Sequence, residues 1–164
     1  MKVLALDAST KSTGVALFEE TELITFDCFT ASSADLVKRI QKIIEQLNLF
    51  LTYHSVDKII MEEVRPETGT NLNTYRALMW LQAAINFLIH ESHPKVKIEY
   101  VYPNEWRAAC GIKTGPGRRR EELKAADINF VKDTYNLVVN DDIADAIGIG
   151  HSYVNKLKNE INWG

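Results

Sequence analysis

Residues 2–19, Lys2-Val3-Leu4-Ala5-Leu6-Asp7-Ala8-Ser9-Thr10-Lys11-Ser12-Thr13-Gly14-Val15-Ala16-Leu17-Phe18-Glu19, decide the fold. Two β-rich runs, 2–8 and 14–19, flank a polar, turn-forming stretch at 9–13, and a third run covers 22–29. Three strands in such close succession predict an antiparallel meander. The next segment changes period: Leu36, Ile40, Ile43, Leu47 and Leu51 recur at three and four residues with charges between them, which predicts an amphipathic helix over 32–53.

The remainder alternates. A short apolar strand over 56–61 ends at Glu62, and helical spacing returns over 71–90 through Leu72, Tyr75, Leu78, Leu81, Ile85 and Leu88. A fifth strand covers 96–101. It is followed by Pro103, a Gly-rich basic loop around Thr114-Gly115-Pro116-Gly117, a helix over about 118–131 and a last helix over about 141–158. The order β-β-β-α-β-α-β-α-α joins a meander to βαβ crossovers, which demands a mixed sheet with helices on its faces. With no repeat or linker in view, one doubly wound, three-layer α/β domain over 1–164 is expected, its ligands gathering near strand ends at the topological switch point.

Composition is that of an ordinary globular chain: 46% hydrophobic, 25% charged, four prolines and eight glycines in 164 residues, enough to bury a core without staples. Cys28 and Cys110 match no zinc or CxxC spacing and read as reduced thiols. The N-terminal apolar run is too short for a signal-peptide core and is interrupted by Asp7, so no membrane association and a cytoplasmic location are expected. A net charge of -3 excludes coating of nucleic acid by bulk charge. Basic charge is instead local: Arg107, Lys113, Arg118, Arg119, Arg120 and Lys124 lie among only Glu121 and Glu122 over residues 107–124.

Asp7 closes the first strand and Glu62 the fourth, so both carboxylates should emerge at strand ends. A crossover helix permits these strands to be adjacent and parallel, which would set the two acids side by side. Close acids repel unless a cation lies between them. Asp142 and Asp145 are three apart, on one helix face, followed by Ala146, Gly148 and Gly150, small residues that let this helix approach the sheet. An all-oxygen cluster of this kind suits Mg²⁺ or Mn²⁺ and not zinc.

Any one of 22 acids is by default a solvated surface group, and Asp142 has a competing role as a helix cap alongside Asn140 and Asp141. It is the joint pattern, an acid at each of two strand ends plus a pair on a small-residue helix, that points to a metal site. Arg118, Arg119 and Arg120 open a helix, where positive charge is unfavourable, and that local cost favours phosphate contact over mere solvation. Trp106 after the fifth strand reads as core. Ser9 and Thr10 read as turn formers, since no His with an orienting acid accompanies them, and the four histidines show no ligand spacing.

Leu4-Ala5-Leu6-Asp7 with Gly14, Ile60-Met61-Glu62, Glu99-Tyr100-Val101 with Pro103 and Gly111-Ile112, and Asp142-Ile143-Ala144-Asp145-Ala146-Ile147 together resemble, in order, the motifs of the RuvC-type Holliday junction resolvases, most of all their phage-encoded branch. The resemblance implies a ribonuclease H-like three-layer fold with a five-stranded mixed sheet flanked by helices. It implies that Asp7, Glu62, Asp142 and Asp145 are catalytic and bind two Mg²⁺ ions, for which Mn²⁺ can substitute, and that cleavage of branched DNA leaves 5′-phosphate and 3′-hydroxyl ends. It further implies a homodimer matched to a two-fold symmetric four-way junction, with phosphates gripped by some of Arg107, Lys113, Arg118, Arg119 and Arg120.

One departure bears on substrate recognition. Cellular members commonly follow the second acid with Gln, Val and an aromatic that stacks on junction bases, whereas this chain has Glu63, Val64 and Arg65. Arg65 is therefore the candidate DNA contact at that place, through its guanidinium plane. Three alternatives stand beside this reading. A sugar-kinase or actin-like ATPase fragment is disfavoured by length and by the lack of a second Gly-rich phosphate loop. A ribonuclease H-like nuclease acting on RNA or flaps is not separable by sequence. A non-catalytic DNA-binding module is opposed by the presence of all four acids.

Overall fold

The computed structural model describes residues 1–66 and 69–163. Strands β1 (Lys2–Asp7), β2 (Ser12–Glu19) and β3 (Glu22–Thr30) form the meander, helix α1 (Leu36–Tyr53) crosses over to β4 (Lys58–Glu62), and α2 (Leu72–Ser92) leads to β5 (Lys97–Val101). Helices α3 (Pro103–Ala109), α4 (Arg120–Tyr135) and α5 (Asp141–Trp163) complete the chain. The sheet order is β3-β2-β1-β4-β5, with β1 antiparallel to β2 and parallel to β4, and β4 parallel to β5. The mixed, five-stranded, helix-flanked sheet expected from the element order is the one found.

Strand alternation explains the layers. Leu4, Leu6, Val15, Leu17, Ile59 and Met61 point to one face and meet Ile43 and Leu47 of α1 and Leu81 and Ile85 of α2. Val3, Ala5, Ala16, Phe18 and Ile60 point to the other and meet Ala146, Ile147 and Ile149 of α5, with Trp106 and Val131 closing the layer. Central β1 is thus apolar on both faces, as a strand with parallel and covered neighbours must be.

Glycines set how closely α5 lies on the sheet. A Cβ on Gly150 would stand 2.2 Å from Phe18 Cε2 and 3.2 Å from Ala5 Cβ, and one on Gly14 of β2 would stand 1.9 Å from the Asp142 carbonyl oxygen. Neither site has space for a methyl group. The first turn of α5 is therefore pressed against the β2 end of the meander, beside the end of β1, and this seats the acidic helix start.

The helix expected over 32–53 begins only at Leu36, and the structure corrects the element boundaries in three further places. Residues 103–109, read as connection, form α3, with Pro103 in its first turn, where a missing N–H costs nothing. The helix expected from residue 118 begins at Arg120, which leaves Arg118 and Arg119 outside it, and continues to Tyr135, where Asn136 adopts a left-handed conformation. The last helix runs on to Trp163. Among the described residues no helix is long and apolar enough to cross a membrane.

Candidate active site

The same alternation that builds the core also aims the acids. Ala5 pairs with Ile60 and Leu6 with Met61 across the parallel β1/β4 ladder, so Asp7 and Glu62 continue the Val3-Ala5 and Ile60 rows onto the α5 face at neighbouring strand ends. Asp7 also pairs with Gly14, the residue on which the Asp142 backbone rests. The cap of α5 is Asn140, whose Oδ1 accepts from the Ile143 N–H at 2.9 Å. Asp142 is thereby released from the capping role left open for it by sequence. Its Oδ2 instead accepts from the Ser12 hydroxyl at 2.7 Å.

Asp7 senses the other three carboxylates. Burial pushes the Asp7 carboxyl well above its ordinary value, and Glu62 and Asp142 push it further, against a pull from Arg107. Asp145 is likewise driven up, to about 10, first by burial and then by Asp7 and Asp127. Its Oδ1 is buried without a hydrogen-bond partner. Among the described residues, however, no three His, Cys, Asp or Glu side chains converge closely enough to enclose a cation as they lie. Asp7 and Asp145 are largely withdrawn from water, and drawing further carboxylates against them requires positive charge in their midst.

Part of that charge is built in. Arg107, on α3, donates from Nε and Nη2 to both oxygens of Asp127 at 2.8–3.2 Å, and its Nη2 lies 3.9 Å from Asp145 Oδ2. Its side chain is 12% exposed and packs over the Trp106 ring. Burial works against the guanidinium charge, but Asp127, Asp145 and Glu62 more than offset it. This placement differs from the expectation that Arg107 grips phosphate: the guanidinium is committed to carboxylates within the site. Trp106, as expected, is core.

Asp127 was missed by sequence reasoning. Its signal lay in α4, where it sits four residues before buried Val131, a lone acid on an apolar stripe. Of the other basic candidates, Lys113, Arg118, Arg119 and Arg120 are exposed on the segment between α3 and the start of α4. Arg65 is exposed and stacks its guanidinium 3.3 Å from the ring centre of Tyr102, just past β5. At the far side of the α5 start, Lys124 pairs with Asp141, which holds that acid below its ordinary value.

No family model matches the chain, and no curated protein matches it. Solved structures do. Thermus thermophilus RuvC in complex with a Holliday junction substrate superimposes with a TM-score of 0.75 at 14% identity, covering 97% of this chain and 96% of that one. A second structure of Thermus thermophilus RuvC gives 0.74 at 15% identity, covering 98% and 97%. The yeast mitochondrial Holliday junction resolvase gives 0.61 at 14% identity, covering 98% and 82%. The chain has the ribonuclease H-like fold of the RuvC Holliday junction resolvases along nearly its whole described length.

Proposed function

We propose that residues 1–164 form a metal-dependent endonuclease that nicks four-way DNA junctions to leave 5′-phosphate and 3′-hydroxyl ends. The observation that carries this reading is the half-buried set Asp7, Glu62, Asp142 and Asp145, in which Asp7 is repelled by the other three and Asp145 Oδ1 has no partner, at the strand-end switch between β1 and β4. A four-way junction was captured on Thermus thermophilus RuvC, whose fold this chain shares, and that supports the choice of substrate.

The donor set fits a hard divalent cation: all its ligands are oxygens, and one is orphaned in a desolvated place. Asp7, Glu62, Asp142 and Asp145 would hold Mg²⁺, as two ions, with Mn²⁺ able to substitute. Bound there, the metal supplies an activated water and stabilisation of the departing 3′ oxygen. The chain's own residues do the rest. Arg107 limits repulsion among the acids, Trp106 and α5 keep bulk water from the back of the site, and Lys113, Arg118, Arg119 and Arg120 lie exposed where phosphates can be gripped. Arg65, backed by Tyr102, offers a flat cationic surface to an unpaired base beside Glu62.

We further propose that the active form is a homodimer joined through α2. Trp80 and Phe87 of this helix are 49% and 72% exposed. Antiparallel pairing of α2 about a two-fold axis between Ala83 and Ala84 sets Trp80 against the partner's Phe87 and exposed Arg76 against the partner's Glu91, apolar on apolar and plus on minus, with small residues at the crossing. Phe87→Glu is expected to give a monomer in sedimentation; an unchanged sedimentation coefficient rejects this face.

The substrate assignment is tested by cleavage of junction, fork, flap, duplex and RNA–DNA hybrid with and without Mg²⁺. Preference for the junction supports it. Preference for hybrid or flap transfers the same chemistry to another ribonuclease H-like substrate class.

A further inference from the structure

We infer that Ser12 is a positioning residue that presets the Asp142 carboxylate for a divalent cation. The inference deepens the proposed nuclease reading and rests on its metal site. Ser12 and Gly14 are two apart on β2, hence on the same face, and Cys28 of β3 pairs directly with Gly14. All three look toward the start of α5. Gly14 accepts the Asp142 main chain, because nothing larger than hydrogen fits beneath that carbonyl. Ser12 engages the side chain, at 2.7 Å from Oδ2.

The proton inventory orients this contact. The single Ser12 proton is donated to Asp142 Oδ2, so the Ser12 oxygen, 3.0 Å from Cys28 Sγ, accepts from the thiol. The chain Cys28 to Ser12 to Asp142 thus runs in one direction and fixes the serine rotor. Asp142 sits between two residues already occupied elsewhere, Asp141 with Lys124 and Ile143 with Asn140. With the backbone held by Gly14 and Oδ2 by Ser12, the other oxygen, Oδ1, would be the one left to meet a cation. Hydrogen bonds that orient ligating carboxylates raise metal affinity.

The test compares Ser12→Thr with Ser12→Val, two β-branched residues of equal size that differ in the hydroxyl alone. The probe is Mn²⁺, titrated into each protein and followed by the electron paramagnetic resonance of the free ion. Ser12→Val is expected to raise the Mn²⁺ dissociation constant about tenfold, while Ser12→Thr stays within about twofold of wild type. Equal affinities in the two variants overturn the inference, as does a loss in Thr that matches the loss in Val. Wild-type protein that binds no Mn²⁺ overturns both this inference and the metal-dependent nuclease reading. A Thr/Val contrast in Mn²⁺ affinity alongside wild-type protein that nicks no junction upholds the inference and removes only the substrate assignment.

Discussion

Replacing Asp145 by Asn is expected to stabilise the cation-free protein, by an amount that grows with pH. The Asp145 side chain is 14% exposed, its Oδ1 has no partner, and burial followed by the Asp7 and Asp127 carboxylates moves its pKa from 3.8 to about 10. Between those values the folded protein keeps a proton that the unfolded chain has released. Stability therefore falls as pH rises through the window, and the full contribution survives only below its lower edge. At about 1.36 kcal/mol per pH unit, the span from 3.8 to a working pH of about 7.5 sets a ceiling of about 5 kcal/mol.

Relaxation and water entry around a side chain that is not fully sealed from solvent lower that figure, and a gain of about 2–4 kcal/mol at pH 7.5 is the expectation for the neutral, isosteric amide. Arg107 keeps its Asp127 partner in the variant, so no new buried charge is stranded. The assay is urea unfolding in EDTA, wild type against Asp145→Asn, between about pH 4.5 and pH 9. The gap should be small at the acid end and widen steadily. Added Mg²⁺ should narrow or invert it, because only the wild type retains the ligand. A variant less stable than wild type at pH 7.5, or a gap that ignores pH, refutes the reasoning.

Three further outcomes follow from the geometry. Gly14→Ala drives a methyl group into the Asp142 carbonyl, and should cost about 1–3 kcal/mol in unfolding experiments while reducing nicking far more than junction binding, because the acidic turn is pushed off β2. Arg107→Ala strands Asp127, which is 1% exposed, and should cost about 3–5 kcal/mol; Arg107→Lys, lacking the two-pronged contact, should recover only part of it. Changing Arg118, Arg119 and Arg120 together to Ala should weaken junction binding and flatten its salt dependence, by about 0.9 in log–log slope for each phosphate that is no longer neutralised, with the cleavage pattern unaltered.

Much of the sheet was legible because its signals are local. The period-2 runs of β1, β2 and β3 are each strong, and a helix of clear 3.6 period between the meander and β4 leaves a parallel β1/β4 pair as the natural closure. From there, two strand-end acids fall side by side by parity. The start of α5 is harder to read, since Asn140, Asp141 and Asp142 are all good caps; Asn140 takes the cap by a local bond, while tertiary contacts bring Lys124 to Asp141 and Ser12 to Asp142.

Three features stayed hidden, two because their partners are distant in sequence and one because it is short. Arg107 reads as one more basic residue in a basic stretch until α4 brings Asp127 to it from twenty positions away. Ser12 reads as a turn former until α5 lays a carboxylate on it across 130 positions. Helix α3 is seven residues long, too short for periodicity to separate it from a loop, and is built around Trp106 filling the space beside Gly148.

The central claim is that Asp7, Glu62, Asp142 and Asp145 form a cation-dependent phosphodiesterase centre for branched DNA. It is tested most directly by nicking of a synthetic four-way junction by wild type, Asp7→Asn and Asp145→Asn, in Mg²⁺ and in EDTA, with junction binding measured on the same samples. The account predicts nicks bearing 5′-phosphates from wild type in Mg²⁺ alone, none from either variant, and binding retained by all three. Cleavage in EDTA, or full activity in either variant, would contradict it.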